Sequence, residues 1–361
     1  MGKKSKRNKN KHITDPEYPF VSICTPTFNR RPFIPEIIKC VQLQDYPSDR
    51  IEWLIYDDGT DKIEDLVSNI QNVKYFKSNC KISLGSKRNF LHKKSKGDIL
   101  VYMDDDDYYP PSRVSHAVET LKANPSALIA GSSEIYIYFK HINAMYQFGP
   151  YGDAHATAGT FAIRKSYIQN NKYDPQAAIA EEKYFLKNYT APLVQLDPLK
   201  TILVFSHPHN TYDKKQLLDQ PSPYQKVSDK TIDMFIKDPS TREFFINTMP
   251  DLLNKYNPGA PSMKPDVMEQ IEHLKQKRKK DKEKQLLQQE ASSIIEITDA
   301  DGHTKHLNIS QVVQMLQYQQ KTIQQSNETI KHLKLELTAL RENSYNKDNF
   351  IHNQLPTCND T

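Results

Sequence analysis

Residues 98–109 read DILVYMDDDDYY, an apolar run from Ile99 to Met103 followed at once by four aspartates. A short apolar run without alternation is the pattern of a strand covered on both faces, as in a parallel sheet. Asp104, Asp105, Asp106 and Asp107 then stand at that strand's carboxyl end, the edge where ligands bind in open α/β sheets. A solvated turn or a helix N-cap can also be rich in aspartate. Behind a buried strand, however, crowded carboxylates repel one another unless a cation neutralises them. Hard divalent cations prefer oxygen ligands and leave room for substrate phosphates, so Mg or Mn bridging a diphosphate is the expected occupant.

The neighbouring segments repeat the theme. IEWLIYDDG, residues 51–59, reads as a second strand ending in carboxylates, Asp57 and Asp58, and FVSICTPTF, residues 20–28, as the first strand. Helical spacing in PFIPEIIKCVQLQDYP, DKIEDLVSNI and GSKRNFLHKKSKG separates these runs and VKYFKS. Strands alternating with helices predict an α/β domain with a mostly parallel sheet. Residues 111–125 read as a helix, the Tyr- and Phe-rich residues 127–148 as antiparallel strands, and AIAEEKYFLKNY, residues 178–189, as a further helix. Two acidic strand ends on one sheet edge imply one site.

The chain has 361 residues, 37% of them hydrophobic, 49 Lys and Arg against 44 Asp and Glu, and a formal charge of +5. Residues 1–12 hold six basic side chains and residues 273–284 seven basic and two acidic; together they contribute +11, so the rest sums to −6. A nucleic-acid-binding domain would carry positive charge on its folded part, which makes nucleic acid an unlikely partner here. No apolar run reaches the length of a membrane span, and the N-terminus has neither a signal-peptide core nor, with Lys6 in place of Ser or Thr, a myristoylation pattern. Cys24, Cys40, Cys80 and Cys358 lack metal-ligand spacing, so free thiols in a reducing, cytoplasmic compartment are expected. Lys outnumbers Arg about fourfold, the usage of an AT-rich genome such as those of some bacteria and giant DNA viruses.

The expected organisation is a basic tail at 1–15, a catalytic domain at 16–255, a charged helical linker at 256–292, a hairpin around DADG at 293–309, a coiled-coil helix at 310–345 and a flexible tail at 346–361. Ile309, Leu316, Ile323, Ile330 and Leu337 recur every seven residues, joined by Val312, Leu333 and Leu340 and interrupted by Gln319 and Ser326. That seam predicts a homo-oligomer through a coiled coil; a single amphipathic helix folded back on the catalytic domain is the competing reading.

VSICTPTFNR, WLIYDDGT and LGSKRNFLHKKSKGDILVYMDDDDYYPP, in that order over residues 21–111, resemble the family 2 glycosyltransferases of the GT-A fold. The resemblance continues through GTFAIRKSYI, AEEKYFL and FSHPHNTY to about residue 212. It implies a Rossmann-like nucleotide-diphospho-sugar transferase with a mixed sheet flanked by helices, followed here by a helical, coiled-coil extension. The activity it implies is metal-assisted transfer of a sugar, with inversion, from a nucleotide-diphosphate donor such as a UDP-sugar to a hydroxyl on a glycan or protein-linked sugar.

By the same resemblance, Thr25 and Pro26 close the first strand against the nucleotide base, Asp57 or Asp58 contacts base or ribose, and Arg88 reaches the nucleotide. Asp106 is the direct metal ligand and Asp104 lies nearer the ribose within the metal motif, with Asp105 beside them. His207 or His209 adds a ligand or closes over the diphosphate. The family's base is an Asp in a Glu-Asp pair, and this chain has Glu181 and Glu182, which puts Glu182 in the matching position and leaves Glu181 as its rival. Two acids in a first helical turn also favour the helix dipole. Tyr136, Tyr138, Tyr146 and Tyr151 either stack on an acceptor sugar or pack between strands. A nucleotidyltransferase would need a Gly-rich loop after the first strand, which TPTFNRRP lacks. The other readings are a GT-A protein that binds sugar nucleotides without turnover and a coiled-coil assembly protein.

Overall fold

The computed structural model describes residues 18–179, 181–219, 222–292, 294–298 and 302–352. The basic run at 1–12, Cys358 and Asp299 to Asp301 of the DADG turn lie outside the described residues. The chain divides into two compact units, the first reaching His273 and the second starting at Leu274. The first unit thus extends past the expected boundary at 255.

The first unit begins β1 (Val21–Thr27), α1 (Ile34–Gln42), β2 (Ile51–Asp57), α2 (Glu64–Val67), β3 (Val73–Lys77), α3 (Leu84–Lys94), β4 (Ile99–Tyr102) and α4 (Arg113–Ala123). It continues through β5 (Ile129–Gly131), β6 (Ile135–Phe139), β7 (Ala144–Phe148), β8 (Ala162–Arg164), α5 (Lys165–Asn170), α6 (Glu182–Phe185), β9 (Leu193–Gln195), β10 (Leu203–Ser206) and β11 (Gln225–Val227). Short helices α7 (Ile232–Phe235), α8 (Pro239–Glu243) and α9 (Met249–Asn254) follow.

One sheet has the order β3-β2-β1-β4-β8-β5-β9, parallel from β3 to β4, with β8 antiparallel to both β4 and β5. This is the mixed α/β sheet expected of a GT-A domain. A second sheet, β10-β6-β7-β11, carries the aromatic stretch. Strand period decides the core: Ile23, Ile55 and Val101 enter one hydrophobic cluster, while their neighbours Cys24, Leu54 and Leu100 enter another. Every residue of β1, β2 and β4 is buried, which is why those strands read as unbroken apolar runs.

The expected helix at 178–189 is only the single turn α6. Phe185 and Leu186 drop into the core, where the Phe185 ring stacks on Tyr173 with centroids 4.0 Å apart. Lys187, Asn188 and Tyr189 then turn the chain with φ of 52°, 54° and 63°. Left-handed residues end a helix.

A long helix, α10 (Pro265–Ser292), starts in the first unit. In the second unit, β12 (Ile294–Thr298) pairs antiparallel with β13 (Thr304–Asn308), and Ile309 opens α11 (Ile309–His352) instead of ending the hairpin arm. The helix runs past the expected end at 345. Ile309, Leu316, Ile323, Ile330, Leu333, Leu337 and Leu340 are exposed along it. Among the described residues no helix is long and apolar enough to cross a membrane.

Candidate active site

The carboxyl ends of β1, β2 and β4 meet as the topology requires. The chain leaves β1 through Asn29, whose φ is 53°, and this turn aims Arg30 back along the sheet edge. Buried Arg30 places Nε 3.5 Å from Asp105 Oδ1 and Nη2 3.3 Å from Asp106 Oδ2. Nη2 also donates to the His209 carbonyl at 2.7 Å, and Nη1 to the Gly259 carbonyl at 3.4 Å. Nothing local in the sequence around Arg30 indicates which carboxylates will face it.

The four aspartates are handled differently, and the chain itself supplies much of the neutralising charge that their crowding demands. Burial opposes ionisation at Asp106, yet Arg30 and then His207 hold its carboxyl well below the usual range. Asp105 is pushed up by burial against the pull of Arg30. Asp107, pushed up by burial and by the charge of Asp106, accepts the Phe205 N–H at 3.3 Å. Asp104 is the half-open member and pairs with Arg88 Nη2 at 3.4 Å.

Arg88 lies under the site rather than reaching into it. Its guanidinium stacks 4.3 Å from the Tyr102 ring, its Nε donates to Glu181 Oε1 at 3.1 Å, and its Nη1 is buried without a hydrogen-bond partner. The side chain therefore bridges the metal motif and the acidic turn at α6. That bridge separates the two glutamates. Glu181 is buried and ion-paired, whereas no ion pair reaches Glu182 among the described residues, and burial followed by the Glu181 charge pushes the Glu182 carboxyl up to about 7.

Thr25 is turned into the core, where its hydroxyl donates to the Met103 carbonyl at 2.7 Å and accepts from Trp53 Nε1 at 2.9 Å. The expectation that it faces the base is corrected; Pro26 does line a cavity. Asp57 is committed to its own loop, accepting from Gly59 N (2.9 Å), Ile63 N (3.1 Å) and the Tyr75 hydroxyl (2.6 Å). Asp58 accepts from Ile82 N at 2.7 Å and pairs with buried Lys87. The lining of that cavity includes Pro26, Phe28, Arg30, Lys87, Asp105 and Lys264.

Of the expected metal ligands, the structure brings Asp106 and His207 together. His207 Nε2 lies 3.3 Å from Asp106 Oδ2, and burial lowers the ring to about 3, so it is neutral with a lone pair to give. An oxygen and a nitrogen that close fit two adjacent positions of a hard cation, where the metal would act as a Lewis acid on a diphosphate. Arg30 on the same oxygen and Asn210 Nδ2, 2.8 Å from the same nitrogen, are the groups it would share or displace. No third His, Cys, Asp or Glu joins them among the described residues, so Asp104 and His209 fall outside the pair. His209 instead offers its carbonyl to Arg30, and its ring lies 6.2 Å from that of Tyr256.

Tyr136 and Tyr138 are buried, with hydroxyls bound to Glu134 and Asn143, which settles them as packing residues. Tyr151 is exposed and belongs to an aromatic group, its ring 4.9 Å from His155 and 5.3 Å from Tyr224, with His155 in turn 5.1 Å from Tyr189. Tyr189 belongs to the left-handed turn that follows α6, which sets this group near the acidic turn. Only Tyr151 of the four was legible in advance.

Residues 22–186 match the family model described as Glycosyl transferase family 2. Over 96 residues the chain is 30% identical to the poly(ribitol-phosphate) beta-N-acetylglucosaminyltransferase TarS of Staphylococcus aureus, covering 24% of this chain and 16% of that protein. Over 114 residues it is 32% identical to the GalNAc(5)-diNAcBac-PP-undecaprenol beta-1,3-glucosyltransferase of Campylobacter jejuni, covering 29% of this chain and 35% of that protein. The chain thus spans 16–35% of the length of the curated relatives it matches. The crystal structure of S. aureus TarS 1–349 with UDP aligns at 18% identity and a TM-score of 0.43, over 55% of this chain and 64% of that one.

Proposed function

We propose that residues 22–186, which match the family model described as Glycosyl transferase family 2, are a domain of that family, and that the chain transfers a sugar, with inversion, from a nucleoside-diphosphate donor to a hydroxyl acceptor. The observation that carries the reading is the pairing of roles at the acidic turn: Arg88 ties Glu181 to Asp104, and Glu182 is left unpaired with its carboxyl near neutrality. A base that titrates near the working pH is what proton removal from a hydroxyl requires. One base on the acceptor side with no second nucleophile gives a single displacement and inversion. Asp106 and His207 are the proposed metal ligands, with Mn or Mg completed by donor phosphates. Tyr151, His155, Tyr189 and Tyr224 offer stacking faces for an acceptor sugar beside that base.

We propose a UDP-sugar as the donor and a glycan hydroxyl as the acceptor. The test is incubation with a panel of sugar nucleotides and Mn or Mg, reading released nucleoside diphosphate. A chain that binds these donors and releases nothing with any glycan acceptor is a binding protein instead. Self-association through α11 is part of the proposal, supported by the exposed heptad seam, and exposed free Cys80 supports a reducing compartment.

A further inference from the structure

Residues 256–271, C-terminal to the family-matched segment, form a strap along the cavity beside Asp105. Tyr256 donates to Asp61 Oδ2 at 2.8 Å, and the Pro258 carbonyl accepts from Asn29 Nδ2 at 2.8 Å. Gly259 passes so close that a Cβ there would lie 2.6 Å from the Asn29 carbonyl oxygen and 2.9 Å from His209 Nδ1. On one rim Asp266 receives Lys81 Nζ on both oxygens, at 2.6 and 2.5 Å. On the other, Gln270 accepts from Ala178 N and donates to the Gln176 carbonyl, both at 2.9 Å, while Val267 and Ile271 pack on Ala178.

Between these anchors the strap carries Lys264 into the cavity wall. Four cations line the cavity, and three have a carboxylate at ion-pair distance: Arg30 with Asp105 and Asp106, Lys81 with Asp266, Lys87 with Asp58. Lys264 has none among the described residues. Its ammonium is buried, 3.3 Å from Thr211 Oγ1, and it lies 5.9 Å from the Phe28 ring, which Lys81 and Lys87 also approach at 5.5 and 5.4 Å. A buried cation with no carboxylate at ion-pair distance is costly, and an arriving anion lowers that cost. Burial and then the charge of Arg30 depress Lys264 to about 7 against the pull of Asp106 and Asp105.

We propose that Lys264 binds the phosphates of the nucleoside-diphosphate donor, so that the donor site is shared between the family domain and the strap. The inference rests on the donor-site reading above. The test is calorimetric titration of the full chain with UDP and with GDP in the presence of Mg, for wild type, Lys264→Met and Lys264→Arg, with thermal unfolding of each variant as the folding control. Lys264→Met is expected to lose about tenfold or more in affinity, equal to about 1.4 kcal/mol, with an unchanged unfolding transition, and Lys264→Arg to keep most of the affinity. Diphosphate binding by Lys264→Met within twofold of wild type overturns this inference and leaves the donor site standing. A wild-type chain that binds neither nucleotide overturns the donor-site reading and this inference with it.

Discussion

Replacing Glu182 by Gln removes the proposed base while keeping its size and leaving the Arg88–Glu181 ion pair untouched. Loss of a general base lowers turnover by about 100-fold to 10,000-fold. The pH dependence supplies a sharper check. With the Glu182 carboxyl at about 7, only about one tenth of it is ionised at pH 6, so kcat/KM should rise about tenfold per unit below neutrality and level off above it. The same shift has a stability side with a fixed sign. The folded carboxyl holds its proton more tightly than the unfolded one at 4.5, so the contribution is fully present below about pH 4.5 and is lost as pH rises through 7. That difference is on the order of 3 kcal/mol, and Glu182→Gln should therefore unfold at a higher temperature than wild type at pH 8 and show no such gain at pH 4. Nucleoside diphosphate release between pH 5.5 and 8.5 and thermal melts of both proteins give the two measurements. Glu182→Gln with near-normal turnover, alongside an inactive Glu181→Gln, would move the base one residue upstream and refute the assignment.

Asp106→Ala should weaken Mn-dependent UDP binding by more than about tenfold in calorimetry, whereas EDTA should cost wild type as much and the variant little. Gly59→Ala places a Cβ 2.5 Å from Asn29 Oδ1 and 2.6 Å from Asn29 N, so it should shift the turn that aims Arg30 and cost about 1–3 kcal/mol in denaturant unfolding. Full-length protein should self-associate in light scattering while a chain cut after His273 is monomeric, and two monomeric masses would refute self-association through α11.

The strands and their acidic ends were legible because buried parallel strands write themselves as unbroken apolar runs, and the run that holds β4 leads straight into Asp104. Glu182 is proposed as the base through its place in the family pattern. What separates it from Glu181 is Arg88, whose bridge to Asp104 exists only once α3 packs on β1 and β2. Thr25 was misjudged because a strand-end hydroxyl shows its direction only when Trp53 and Met103 are in place. The helix expected at 178–189 failed for a similar reason: its apolar spacing was real, but Phe185 had a stacking partner in Tyr173, and satisfying it turned the chain. Arg30 and Lys264 were invisible, since each acquires meaning from residues far away in sequence.

The strap also imposes an order in time. Lys81 waits for Asp266 across 185 residues, so a nascent chain that has emerged through residue 186 holds every residue matched to the family and still lacks one wall of its cavity. At ribosomal rates of about 5–20 residues per second, residue 271 follows about 4–17 s later. During that interval Lys81, Ala178 and the open side of Arg30 face solvent, and the unfinished edge is where a chaperone or a mispairing would act first. The last stretch of the first unit to be synthesised is the one that closes it.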